Sequence, residues 1–155
     1  MTEATKVAKN SVVVPSKGNV TVNFTLEPTG ADQHWILKDS SGQEVDPISI
    51  SFEGVVSGGS AKSGKATLIV EIVNSELGFK KLPGNIDGIE TYDEINDGLG
   101  AIQKCQVGSR SAQFLEIVLK ANRQQDNGFG FKWLAEDSDG NTIASADPFI
   151  QVKPR

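Results

Sequence analysis

The 155-residue sequence has little of what catalytic and metal centres most often use: it contains one cysteine, Cys105, and one histidine, His34. A single cysteine excludes a disulfide framework and a multi-cysteine zinc site within one chain. A single histidine excludes metal centres built on two or more imidazoles. Because an unpaired thiol persists best under reducing conditions, Cys105 fits a cytoplasmic protein.

Positive charge and long apolar runs are also scarce. The 15 Lys and Arg residues are outnumbered by 20 Asp and Glu residues, which gives a net charge of −5, whereas a phosphate backbone calls for a basic face. The densest apolar run, residues 68–73, is interrupted by Glu71 and falls short of the roughly 18 residues of a membrane span. Residues 1–6 show no signal-peptide pattern. We expect a cytoplasmic location, with neither nucleic acid nor a membrane as partner.

What the sequence does have is the two-residue period of β-strands. Between residues 20 and 26, apolar side chains alternate strictly with polar ones, which is typical of a strand with one buried face. Similar runs occur at residues 48–52, 66–73, 114–119, 129–134 and 149–152, and turn-forming residues occur at 40–42, 57–60, 126–128 and 139–141. The pattern predicts an all-β fold, a two-sheet antiparallel β-sandwich of the Greek-key or immunoglobulin-like kind. We expect one domain over residues 1–155.

Two parts of the chain share the same order of residues. Trp35 is followed by Asp-Ser-Ser-Gly at 39–42 and Asp-Pro at 46–47, and Trp133 is followed by Asp-Ser-Asp-Gly at 137–140 and Asp-Pro at 147–148. In each part, the glycine suits the positive φ of a tight hairpin and the aspartate can bond the turn backbone. We predict a pseudo-repeat of two similar halves, residues 19–52 and 112–153, with both tryptophans near the core.

Residues 74–100 break the strand pattern. They contain Pro83, five glycines and six acidic residues, and Glu71 lies just upstream. Two interpretations stay open: a short helix near residues 91–95, or a long acidic loop over one end of the sandwich. Such loops often carry binding residues, but a solvated loop without a role has the same composition.

Two dipeptides in the sequence are the basis of a resemblance to a known protein family. Glu27-Pro28 closes the first alternating strand, and Asp147-Pro148 opens the last. In these dipeptides the chain resembles the DP-EP family of small, functionally uncharacterised bacterial proteins, which is named for them. The resemblance implies a bacterial origin and a small β-sandwich fold, and it implies no activity, cofactor or catalytic residue.

The Asp137 hairpin is the candidate metal site. Asp137, Asp139 and Asn141 present oxygen atoms at alternate positions, as at the start of a calcium loop, but the twelfth position is Pro148 instead of a bidentate glutamate. A turn requirement explains both the Asp137 hairpin and the matching hairpin at 39–43. We therefore expect no bound metal.

His34, Trp35 and Trp133 are the candidate ligand-binding residues. The tryptophans, together with Phe129 or Phe131, could form a stacking platform for a sugar, although core packing is the other interpretation of all four rings. His34 should point away from Trp35 because neighbours on a strand face opposite ways. His34 is then either a surface residue or a ligand group.

Cys105 lacks the surroundings of an activated nucleophile. Lys104 is its neighbour, but it should lie on the opposite face of the strand, and no helix N-terminus or cluster of cations is evident. We predict a buried, inert thiol.

These observations predict no catalytic residue and no cofactor. They favour a non-enzymatic binding or interaction module of unknown partner that self-associates, because an open sandwich has sheet edges to cover and two-fold homodimers are common. The alternative is a small-ligand or carbohydrate-binding sandwich that uses exposed aromatic residues. A third interpretation is an enzyme with an unfamiliar site in residues 74–100.

Overall fold

The chain folds into two β-sheets that enclose one apolar core. The computed structural model describes residues 11–15, 18–45, 48–52, 64–84, 86–95, 98–121, 127–146 and 148–154. In chain order the strands are β1 (Ser11–Val14), β2 (Val20–Glu27), β3 (Ile36–Lys38), β4 (Ile48–Phe52), β5 (Ala66–Ile72), β6 (Gly78–Phe79), β7 (Ile89–Ile95), β8 (Ile102–Val107), β9 (Phe114–Leu119), β10 (Asn127–Glu136), β11 (Thr142–Ala144) and β12 (Phe149–Pro154). A 3-10 helix over Gly98–Ala101 precedes β8. The all-β, two-sheet sandwich is confirmed.

The sheets are mixed, so the expectation of purely antiparallel sheets was wrong. One sheet has the order β1-β4-β12-β10-β11, with β6 and β7 also paired to β10, and the other has the order β3-β2-β5-β9-β8. The β1–β4, β4–β12 and β2–β5 pairs are parallel. Parallel neighbours need a crossover connection, and here the chain passes through the other sheet between them.

The core lies between the two sheets and follows the strand periodicity. On β2, Phe24 and Leu26 are buried, and Val20 and Val22 pack against the same cluster. On β5, the burial pattern alternates along the whole strand. The inward residues of β4, β10 and β12 complete the core from the opposite sheet. The alternation in residues 20–26 therefore predicted the buried face of β2.

The two Asp-Ser-x-Gly hairpins adopt the same turn. The Gly42 N–H donates to the Asp39 carbonyl at 3.0 Å, and the Gly140 N–H donates to the Asp137 carbonyl at 3.0 Å. Both glycines take positive φ, 88° and 82°, as the sequence predicted. At residues 126–128, where another turn was expected, Asn127 and Gly128 begin β10 instead. The turn predicted at 57–60 lies outside the described residues.

The likeness of the two halves does not extend to strand pairing. Trp35 precedes β3, which pairs with β2 in the five-stranded sheet. Trp133 lies in β10 of the other sheet, where it pairs with Ile89 of β7. A pseudo-repeat over 19–52 and 112–153 is thus not confirmed beyond the hairpins, and Asp46, Pro47 and Asp147 lie outside the described residues.

Residues 74–100 are not one long acidic loop. They form β6, β7 and the start of the 3-10 helix, and β7 occupies residues 91–95, where a helix was one of the expectations. That helix was wrong, because pairing with β10 holds the segment extended. No helix in the described part of the chain has the length and apolar character needed to cross a membrane.

Candidate functional site

The three candidate ligand residues line one small pocket. His34, Trp35 and Trp133 meet there, and apolar residues complete the lining: Leu37, Val45, Ile48, Ala146 and Pro148. The pocket volume is ≈ 10 Å³, which is close to the smallest that holds one water molecule. The structure therefore brings the predicted residues together, but the space between them does not admit a sugar ring.

The aromatic rings proposed as a platform belong to the core. Trp35 is 2% exposed and Trp133 is 1% exposed, while Phe129 and Phe131 are fully buried. The Trp35 indole donates to the Gly30 carbonyl at 2.7 Å, so its polar atom is satisfied within the fold. Trp133 packs edge-on against Phe131, with ring centroids 4.8 Å apart. None of the four rings offers a face for stacking.

His34 lies on the surface beside an acid. Its Nε2 is 3.3 Å from Glu44 Oε2, and both side chains are about half exposed, at 45% and 54%. Solvent weakens such a pair. His34 has the outward direction that the sequence predicted.

The Asp137 carboxylate is already committed to its turn. Its Oδ1 accepts the backbone N–H groups of Asp139 and Asn141 at 3.0 and 2.9 Å. The Asn141 side-chain amide donates to Oδ2 at 3.2 Å. These bonds, first among them the backbone bond from Asn141, hold the Asp137 pKa below its usual value. In its own turn Asp39 accepts the backbone N–H groups of Ser41 and Gln43, and its side-chain bond comes from the Ser41 hydroxyl. The described residues contain no group of three acidic, histidine or cysteine side chains placed to hold a metal.

Cys105 is buried in β8. Its thiol donates to the Asp87 carbonyl at 3.1 Å. Burial, with the Asp87 charge as a second cause, raises the Cys105 pKa to about 12. The thiol therefore stays protonated in neutral solution, as the sequence interpretation of an inert cysteine requires.

The loop between β6 and β7, which contains Asp87, covers part of the open edge of β8. The Asp87 N–H donates to the Cys105 carbonyl at 2.9 Å. The nearly buried Asp87 carboxylate accepts the Val107 N–H at 3.2 Å and the Leu82 N–H at 2.9 Å. Asp87 thus occupies two backbone groups of β8, the Cys105 carbonyl and the Val107 N–H, that a new strand beside β8 would need. Sequence reasoning missed this role.

Other edges are also covered by parts of this chain. Beside β3, the Val45 N–H donates to the Leu37 carbonyl at 2.8 Å, because the hairpin returns along that edge. Beside β11, the Asp32 N–H donates to the Ala144 carbonyl at 2.8 Å. On β6, the Phe79 N–H donates at 2.6 Å to the Ala112 carbonyl, which lies in the loop before β9. Each bond removes a free backbone group from the edge.

The edge strand β7 is protected by charge and irregular geometry. Glu90, Asp93 and Glu94 are exposed along it, and Asp93 takes a φ of 49°. The register with β10 shifts between Gly128 and Gly130. Charges and bulges on an edge discourage further strand pairing.

Among the described residues, no covering bond, charge or bulge protects the edge strand β1. Its residues Ser11–Val14 carry no charge, and they pair with β4 in an unbroken parallel register. Val12 and Val14 face the core, whereas Val13 points outward and is 50% exposed. Of the edges formed by the described strands, β1 is therefore the one suited to accept another strand. The run of three valines is the only sequence signal for it.

Comparison of the chain with the models of known protein families and with curated proteins finds no match.

Proposed function

We propose that this protein is a non-enzymatic interaction module that binds an extended polypeptide segment at the β1 edge. The observation that carries the proposal is the contrast between β1 and the other edges described above. Those edges are bonded, charged or bulged, whereas β1 is uncharged and regular. An edge of this kind is a template for strand addition.

The chemistry of such a complex follows from the direction of the β1 side chains. In a strand, every second residue directs its N–H and C=O to the same side, so the main chain supplies the hydrogen bonds. Val12 and Val14 face the core, and the added strand must place apolar side chains next to them. Val13 faces outward and selects for a β-branched or other apolar neighbour on that side.

The chemistry-bearing residues support a binding role over a catalytic one. Cys105 is buried, with its pKa raised to about 12, and His34 is exposed beside Glu44. Cys105 lies in β8 and His34 precedes β3, at opposite edges of the five-stranded sheet, so neither activates the other. We also propose a cytoplasmic location, which suits an unpaired thiol.

Membership in the DP-EP family of bacterial proteins is part of the same proposal. It is supported by the positions of two dipeptides. Pro28 follows the last residue of β2, Glu27, and Pro148 directly precedes β12. Both are places where a proline costs no ladder hydrogen bond.

The test of the binding role is residue-resolved amide exchange with a defined probe. The probe is the soluble peptide Lys-Thr-Val-Thr-Val-Thr-Lys, and a control peptide has proline in place of the central threonine. We expect the first peptide to slow exchange in β1 and the second to have little effect, because proline cannot donate to a ladder. Val13→Lys should abolish the protection, since lysine on an edge opposes pairing.

Ile95→Lys is the matched control. Ile95 lies on β7 of the same sheet and is 48% exposed, close to the exposure of Val13. This variant should keep the protection of β1. Protection that maps to β7 or β8, or no protection anywhere, contradicts the proposed binding edge.

A further inference from the structure

We infer that the strand taken up at β1 is the β1 strand of a second copy, which forms a two-fold dimer whose axis passes through Val13. The inference rests on the proposed function, because it names the partner of the β1 edge. It is carried by the side-chain directions along β1 and by the lack of charge there.

The side-chain directions restrict the pairings that are allowed. In a sheet, residues directly opposite each other point to the same face. Val12 and Val14 point to the core and Val13 points outward. An antiparallel partner strand must therefore place a core-facing valine, Val12 or Val14, opposite a core-facing valine of the other copy, and any one-residue slip puts core side chains on the wet face.

Among the symmetric registers that remain, one pairs the exposed valine with another β-branched residue. An axis at Val12 places Val13 opposite the small, polar Ser11, and an axis at Val14 places it opposite Pro15. An axis at Val13 pairs Val13 with its own copy and Val12 with Val14. It thus supplies β-branched cross-strand pairs on both faces. Strand β1 is complementary to itself in this register.

Charge also favours β1 over the other edge of its sheet as the partner strand. Strand β7 of a second copy carries Glu90, Asp93 and Glu94, and β1 has no cation to pair with them. Two β1 strands bring no charges into contact. The net charge of −5 on each copy still repels at long range, so added salt should strengthen the dimer by screening.

The size of the contact sets the expected strength. Three paired residues of β1 on each side, Val12, Val13 and Val14, make an interface at the small end, below about 1,200 Å². We therefore expect a dimer that dissociates on dilution. The seven-stranded sheet then continues across both copies while the dimer is present.

The register is tested by disulfide formation. In Val13→Cys the two-fold axis places the new thiols opposite each other, at a separation suited to cross-strand contact. We expect oxidation to give covalent dimer at least about tenfold faster than in Ile95→Cys, because pairing raises the effective concentration of the thiols. Cys105 is buried and does not compete. Both variants should react at equal rates in urea, which checks that their thiols are equally reactive when unfolded.

Each result bears on the inference in a defined way. Faster cross-linking at position 13, with a wild-type mass that rises with concentration, supports it. Equal cross-linking rates in the folded variants overturn it, and so does a wild-type protein that stays monomeric at all concentrations. If the monomer nevertheless shows peptide protection at β1, the proposed binding edge stands and only the second copy is wrong. If it shows none, both fail.

Discussion

Removal of the Asp87 carboxylate should uncover the β8 edge at a cost that can be worked from its contacts. The nearly buried side chain accepts two backbone N–H groups, from Leu82 at 2.9 Å and from Val107 at 3.2 Å. In Asp87→Ala both donors lose their partner. A buried donor left unpaired costs about 1–3 kcal/mol, so the loss in unfolding free energy should be about 2–4 kcal/mol, since both donors are only partly buried.

The expected change is large enough to measure by thermal unfolding. For a chain of this size, each kcal/mol corresponds to about 2–4 °C in Tm, so Asp87→Ala should lower Tm by about 5–15 °C. Asp87→Asn keeps one acceptor oxygen and should lose roughly half as much. Asp139→Ala is the matched control because that side chain is exposed, and its effect should stay within about 0.5 kcal/mol.

Amide exchange distinguishes this mechanism from general destabilisation. Asp87→Ala should speed exchange at Leu82 and Val107 well before the rest of β8 and β9 opens, because those two amides lose their acceptors. In Asp87→Asn we expect faster exchange at Val107, which has the longer bond, with Leu82 still protected. Unchanged exchange at both amides in Asp87→Ala, or a Tm within 2 °C of wild type (roughly 1 kcal/mol or less), would refute the reasoning.

Three further outcomes follow from contacts elsewhere in the fold. Gly128→Ala should destabilise more than Gly130→Ala in chemical denaturation, because a Cβ at 128 overlaps a backbone carbonyl of β12, whereas one at 130 meets a tyrosine ring that can move; equal losses would contradict this. In the native state Cys105 should resist iodoacetamide at pH 8 and react only on unfolding, since its pKa of about 12 keeps it protonated; rapid native labelling would contradict its burial. Hydrogen bonds lower the pKa values of Asp39 and Asp137, so their stabilisation is present above pH 3.8 and is lost as pH falls through the lowered values. The titration of both carboxyl groups by NMR should therefore lie below that of the unfolded chain, and a midpoint at or above 3.8 would contradict the bonded turns.

The sequence predicted those parts of the fold where the local pattern and the tertiary environment agree. Strand β2 was readable because the alternation from Val20 to Leu26 matches one buried face. The two hairpins were readable because Gly42 and Gly140 meet a local need for positive φ. These signals lie within a few residues of each other, so they do not depend on how the chain closes.

The errors arose where distant strands decide the structure. The acidic residues of β7 interrupt the apolar alternation that predicts a strand, but pairing with β10 holds this segment extended. Asn127 and Gly128 have the composition of a turn, but Gly128 is needed in β10, where the Phe149 ring and a β12 carbonyl leave no room for a Cβ. Strand direction was missed for a similar reason. Parallel pairing depends on which sheet each strand enters, and alternation does not encode that choice.

At the candidate site, too, the sequence predicted local features but missed those that depend on distant parts of the chain. The sequence proposed His34, Trp35 and Trp133, and the structure places all three at one pocket, yet the two indoles are buried. Periodicity identifies a face without saying how completely it is covered. The role of Asp87 could not be predicted from the sequence. Its partners Leu82 and Val107 come together only when the loop between β6 and β7 folds over β8.

Light scattering over a concentration series tests most directly whether β1 pairs with β1 of a second copy. We expect the mass of the wild-type protein to rise from 16.5 kDa towards twice that value, and to rise further with added salt. Val13→Lys should stay at the monomer mass, while Ile95→Lys should follow the wild type. A wild-type mass that stays at the monomer value over the whole series, or equal association of the two lysine variants, would contradict this pairing.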